Sequence, residues 1–153
     1  MNGLPEIYVD ADACPVKDEV LRVAARHSLA VHMVANAWMR HGTDPAVNFV
    51  VVAEGADAAD DWIAEHIGAG DIVVTADIPL AARCLKRGAR AIGPSGKPFT
   101  DDSIGMALAM RGLNADLRET GDIVGANPAF TKKDRSHFLE TLENTVQAIR
   151  RGA

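Results

Sequence analysis

The chain reads as a three-layer α-β-α domain built on a mostly parallel central sheet of about five strands. Three observations predict it. Five short runs are nearly all apolar, as strands covered on both faces must be. Helix-length patterns fall between those runs. Acidic residues recur just after the runs, where sheets of this kind bind ligands.

The first run, Ile7-Tyr8-Val9, ends at Asp10. Pro15 suits the first position of a helix over Val16 to Ser28, because a missing N–H costs nothing there. Val31 to Ala35 is the second run, and Asn36 to Ala46 is short for a helical crossover and reads as an irregular loop. Val47 to Ala53 is the third, followed by a helix from Ala58 to Ile67 that closes at Gly68. Ile72 to Thr75 is the fourth, followed by a helix from Pro79 to Arg87 that closes at Gly88. Both glycines fall where a left-handed residue commonly ends a helix. Ala89 to Ile92 is the last run. Strands alternating with helices require right-handed crossovers, hence the parallel sheet.

Beyond Gly93 the pattern changes. A Gly/Pro-rich turn, Gly93 to Pro98, leads to an apolar helix from about Asp101 to Arg111. A loop over Gly121 to Phe130 leads to a final helix from Thr131 to about Arg150. Thr131 with Asp134 three residues on resembles a capping box, with Asp in place of Glu or Gln. No internal repeat, low-complexity segment or linker interrupts the chain, so residues 1–153 form one expected domain.

A chain of 153 residues, 48% of them hydrophobic, can bury one core. No stretch approaches the roughly 20 apolar residues of a membrane span. The start, Met1 to Glu6, has no secretory-signal pattern, and Cys14 and Cys84 offer neither a disulfide framework nor a zinc spacing. The expectation is a cytoplasmic protein with no membrane association. A net charge of −5 argues against coating nucleic acid by bulk electrostatics. A local basic patch, or an acidic pocket neutralised by a cation, stays compatible with it.

Asp10 and Asp12 follow the first strand, Asp77 follows the fourth, and Asp57 and Asp60 open the helix after the third. Three strand ends thus deliver carboxylates to one rim. Clustered like charges are costly without a cation, and hard oxygen ligands suit Mg²⁺ or Mn²⁺. At 100° per residue Ala59, Trp62, Ile63 and Ile67 share the buried face of their helix. Asp60 borders that face, whereas Asp61 and Glu65 point away. Aspartate is also the ordinary residue of helix caps and first turns, which is the plain alternative for each of these acids.

Other polar residues are weaker candidates. Asn36, Trp38, Arg40 and His41 lie on the loop after the second strand, on the acids' rim, where Asn36 and Arg40 would meet substrate, although a polar loop with one aromatic is also ordinary surface. Thr75 would orient a water or an acid, or else bond backbone. Lys132, Lys133 and Arg135 place positive charge at a helix start, where the dipole disfavours it, and so ask for an anionic partner or for Asp134 nearby; a solvated face is the plainer reading. Cys14 at a helix start invites a nucleophile reading, but no histidine is near in sequence and packing is the simpler role. The Ser95-Gly96 turn would cradle a phosphate or merely turn the chain. His66 and His137 read as exposed helix residues. Walker, dinucleotide and His-Glu-x-x-His motifs are all missing.

Several of these segments resemble a known family. Val9-Asp10-Ala11-Asp12-Ala13-Cys14-Pro15, Val34-Ala35-Asn36, Ala59-Asp60, the run Gly70 to Ala81, and Phe130-Thr131-Lys132-Lys133-Asp134-Arg135 with Phe138 are similar to the bacterial YaiI/YqxD family. Gly125-Ala126-Asn127-Pro128 departs from the Gly-Pro-rich version of that loop. The family brings no established activity, but its sheet order and acids look like PIN-type nuclease domains. In those, carboxylates at strand ends hold Mg²⁺ or Mn²⁺ for phosphodiester hydrolysis. By that likeness Asp10 matches the first-strand acid, Asp60 the helix acid, and Asp77 the acid of the Thr-x-Asp motif.

The leading expectation is therefore a metal-dependent phosphodiester hydrolase acting on RNA or single-stranded nucleic acid. One alternative is a haloacid-dehalogenase-like phosphatase with Asp10 as nucleophile and Asp12 as acid/base. That scheme wants a later lysine and an acidic pair ending an apolar strand, whereas Asp101-Asp102 follows a Pro-Phe-Thr turn. The other is a domain without catalysis that binds nucleic acid or protein.

Overall fold

The computed structural model describes residues 4–11, 14–36, 46–52, 58–106, 109 and 130–151. Six strands form one sheet: β1 (Ile7–Asp10), β2 (Val31–Ala35), β3 (Val47–Val51), β4 (Ile72–Val74), β5 (Arg90–Ile92) and β6 (Pro98–Phe99). Their order is β3-β2-β1-β4-β5-β6. The first five are mutually parallel, and β6 pairs antiparallel with β5. Helices α1 (Lys17–His27), α2 (Ala58–His66) and α3 (Ile78–Lys86) follow β1, β3 and β4. Residues 101–106 are helical (α4), and α5 (Lys132–Arg150) ends the fold. No described helix is long and apolar enough to cross a membrane.

Strand side chains alternate between two cores, as the two-residue period requires. Ile7, Val9, Val31, Met33, Ile72 and Val74 face α1 and α5, meeting Val20, Val23, Phe138, Leu142 and Val146. Tyr8, Val34, Val73 and Ala91 face the opposite way, onto Ile63 and Ile67 at α2 and Leu80 and Cys84 of α3. The result is three layers. Phe138, Leu142 and Val146 recur every fourth residue of α5 and are fully buried. Each such side chain contributes about 1.5–3 kcal/mol, which is how one stripe docks a helix.

Helices α1 and α5 run parallel to each other. Near their starts, the Arg135 guanidinium donates to the Pro15 carbonyl (2.7 Å) and reaches Glu19 (3.5 Å). Near their ends, His27 and Arg26 bond Glu143 (2.8 and 3.2 Å), and Arg150 bonds His27 (2.8 Å). Since α1 starts at the carboxyl end of β1, the start of α5 stands at that same edge of the sheet.

Several boundaries differ from the sequence expectation. Pro15 precedes α1 in a turn, where the Lys17 ammonium bonds the Cys14 carbonyl (2.9 Å). Ser28, not glycine, takes the left-handed end of α1 (φ 58°). Gly88 does adopt that conformation after α3 (φ 88°), whereas Gly68 does not. The turn after α2 is closed instead by the Asp71 carboxylate, which accepts from the Gly68 N–H (2.9 Å). The sixth strand, β6, arises where the sequence suggested only a turn. Gly96 at φ 90° folds the chain back, and a Cβ there would stand 2.8 Å from the backbone of His137 and Phe138. Close packing against α5 thus explains the Ser95-Gly96 turn.

Candidate functional site at the carboxyl edge of the sheet

The chain goes from β1 outward to β2 and β3, then returns to build β4 and β5 on the other side of β1. The connections leaving β1 and β4 therefore run in opposite directions. The crevice between them is where open parallel sheets bind ligands. Asp10 ends β1 and Thr75 follows β4 at this point. Val9 pairs with Val74, so one further step along the register brings Asp10 level with Thr75.

These two residues and Asp77 form one hydrogen-bonded unit. The Thr75 hydroxyl donates to Oδ2 of Asp10 (3.1 Å) and accepts from the Asp77 N–H (2.9 Å). Its direction is dictated: a backbone N–H only donates, so the hydroxyl proton is left for the carboxylate. Thr75 is 2% exposed, so it lies behind the rim and acts by holding Asp10. Oδ1 of Asp77 accepts from the Leu80 N–H (2.9 Å) and caps α3. The capping alternative is thus real for Asp77, yet a carboxylate has two oxygens and capping leaves further acceptor capacity. The positive end of α3 also favours negative charge here.

Asp60 lies in the first turn of α2, half-buried, on the same side of the sheet as Asp10 and toward α3. Its charge acts on Cys84 and Arg83 of that helix. Asp61 is exposed and bonds Arg83 (2.9 Å), whereas Asp60 is half-buried. Asn36 follows β2 at the rim, half-buried. Asp12, Asp57, Arg40, Trp38, His41 and the Gly125-to-Pro128 segment lie outside the described residues. Among the described residues, no group of three or more His, Cys, Asp or Glu is placed to hold a metal ion. The structure links Asp10 to Asp77, and sets Asp60 on the neighbouring helix without closing the three into one coordination sphere.

The cation cluster divides by role. Lys132 and Lys133 are exposed at the start of α5. Arg135 is engaged with Pro15 and Glu19 and lies over the Phe130 ring (5.0 Å), so it fixes the helix start to the β1–α1 connection. The expected cap is present: Thr131 accepts from the Asp134 N–H (3.1 Å), and Asp134 accepts from the Thr131 N–H (3.0 Å). His137 is exposed and bonds the Ser95 carbonyl (2.8 Å). Cys14 is a core residue, 7% exposed, and burial pushes its thiol pKa up, which removes the nucleophile reading.

The residues beside Asp77, read in the sequence only as part of the Gly70-to-Ala81 run, have a further place in the structure. Ala76 and Ile78 line a cavity of about 310 Å³ together with Lys97 and Phe99. The signals in the sequence were the Ser95-Gly96 turn, Lys97 within it and Phe99 just after it.

Comparison with known proteins places the chain as follows. Residues 8–148 match the family described as "Uncharacterized BCR, YaiI/YqxD family". A UPF0178 protein of Parvibaculum lavamentivorans is 64% identical over 148 residues, covering 97% of each chain. The UPF0178 protein of Rhodospirillum rubrum is 60% identical, covering 96% of this chain and 99% of the relative. That of Agrobacterium fabrum is 56% identical, covering 96% of each. No solved structure matches.

Proposed function

The chain belongs to the YaiI/YqxD family, and from that premise we propose that it is a metal-dependent, PIN-like hydrolase of phosphodiesters in RNA or single-stranded nucleic acid. One observation carries the reading: the Asp10–Thr75–Asp77 unit stands at the point where the strand order reverses. Thr75 holds the Asp10 carboxylate in one orientation, and the α3 cap holds Asp77.

This donor set fits Mg²⁺ or Mn²⁺. Mg²⁺ is commonly held by one or two carboxylates, with water and substrate phosphates filling its other positions. Asp10 and Asp77 would be those ligands, with Asp12, Asp57 and Asp60 supporting them directly or through water. When bound, such a cation supplies an activated water and neutralises charge on the phosphate oxygens. The protein's own share is positional. Asp10 and Asp77 present fixed oxygens, Asn36 stands at the rim where substrate would pass, and the exposed Lys132 and Lys133 attract the phosphate backbone; Arg40, outside the described residues, keeps its substrate role from the sequence alone. The phosphatase alternative is weaker, because Asp101 and Asp102 sit exposed at the start of α4 and not at the end of an apolar strand.

Purified wild type should cleave single-stranded RNA slowly with Mn²⁺, and not with EDTA. Asp10→Asn and Asp77→Asn should each lose about two orders of magnitude or more in rate, while keeping the fold. Equal cleavage by wild type and both variants would end the proposal, and it also controls for contaminating nuclease.

A further inference from the structure

On the β5 side of the crevice lies the cavity of about 310 Å³ noted above. Its walls include Ala76 and Ile78, the two neighbours of Asp77, with Pro94, Lys97, Phe99 and Ser103 opposite. The cavity and the acidic unit therefore share the β4–α3 junction. Ile78, Pro94 and Phe99 make the wall apolar and partly aromatic, while Lys97 is exposed at it and no carboxylate among the described residues lines it. A second cation belongs to the same region. Lys133 stands one helical turn before His137, whose ring bonds the Ser95 carbonyl, so both occupy the same side of α5.

An occupant that suits these walls has a flat apolar face and a negative charge beside it. We propose that the cavity holds the base of a nucleotide flanking the scissile phosphate, stacked against Phe99, with Lys97 taking the adjoining phosphate. This assignment rests on reading the rim as a phosphodiester site. It also carries a specificity. The Ser103 hydroxyl is committed to Thr100, accepting from its N–H (2.8 Å) and donating to its carbonyl (3.1 Å). With the Ser103 hydroxyl spent on the start of α4, Ser95 supplies the other hydroxyl among the described lining residues, and stacking on Phe99, which tolerates every base, is the larger contribution. The four bases should therefore bind alike.

Nucleoside monophosphates and ribose 5-phosphate, titrated in EDTA and followed by amide NMR, test this without metal or turnover. All four nucleotides should shift the Lys97, Phe99 and Ser103 amides with similar affinity, and ribose 5-phosphate should bind about tenfold or more weakly. Phe99→Leu keeps an apolar core contact and should abolish the preference for nucleotide over ribose 5-phosphate. Lys97→Ala should weaken nucleotide and ribose 5-phosphate together. Equal binding of ribose 5-phosphate and nucleotide by wild type, or nucleotide shifts that avoid these amides, overturns the assignment even if the protein cleaves RNA. The expected shifts without any cleavage would sustain the cavity and remove the hydrolysis.

Discussion

At the scale of residues, Thr75 joins the two acids of the rim. Its hydroxyl spans Asp10 and the Asp77 backbone from a position with almost no solvent contact. Thr75→Val keeps the shape but strands the Asp77 N–H and removes the Thr75 donor from Asp10. Leaving such groups unsatisfied costs about 1–3 kcal/mol, or roughly 2–4 °C in melting temperature per kcal/mol for a chain this size. Thr75→Ser should recover most of the loss. Thermal melts with and without Mn²⁺ check both halves, since cation binding to the native state raises the midpoint. The stabilisation by Mn²⁺ should shrink in Thr75→Val and return in Thr75→Ser. Asp10 and Asp77 were legible in the sequence because they directly follow apolar runs. The hydroxyl's role between them was not, because a strand pattern does not say which atoms meet across 65 residues of chain.

At the scale of elements, runs of buried apolar residues located β1, β2, β4 and β5 to within a residue, and the α5 capping box was readable from two side chains. What escaped were features set by a neighbour. β6 is only two residues long and exists because Gly96 lets the turn approach α5. Gly68 looked like a helix-ending glycine, but Asp71 does that work from three residues away. The alternation of buried residues also could not show the cavity beside Asp77, whose walls come from three separate elements. Gly96→Ala should be among the most damaging substitutions outside the core. It meets both a positive φ and the α5 backbone, for a loss of about 2 kcal/mol or more. A urea melt should show a lower midpoint at an unchanged slope. Wild-type stability in that variant would mean that α5 does not press on the turn.

For the molecule as a whole, a net charge of −5 opposes nucleic acid while Lys97, Lys132 and Lys133 gather near the edge that carries Asp10. Attraction confined to one edge orients an incoming strand without raising affinity elsewhere. If Lys133 neutralises one phosphate, Lys133→Ala should lower the salt slope of single-stranded RNA binding by about 0.7–1 for every sequence alike. A salt titration in a cation that does not support cleavage reads this directly. An unchanged slope and affinity would make Lys133 ordinary solvated surface.

The strand order has a consequence for how the chain is made. β1 is synthesised first yet sits in the middle of the sheet, and its β4-side edge has no strand to pair with until residues 72–74 exist. While β2, β3 and α2 emerge from a ribosome, half of β1's backbone groups face water or another chain. α5 arrives later still, and until it does the α1 layer lacks Phe138, Leu142 and Val146. Contacts this distant in sequence are slow to form. The nascent protein thus passes through a stage with a sticky edge and a bare apolar face, and Asp10 gains its Thr75 donor only after that edge has closed. A prematurely ended chain would keep both hazards, which makes the last helix as much a guard against aggregation as a part of the rim.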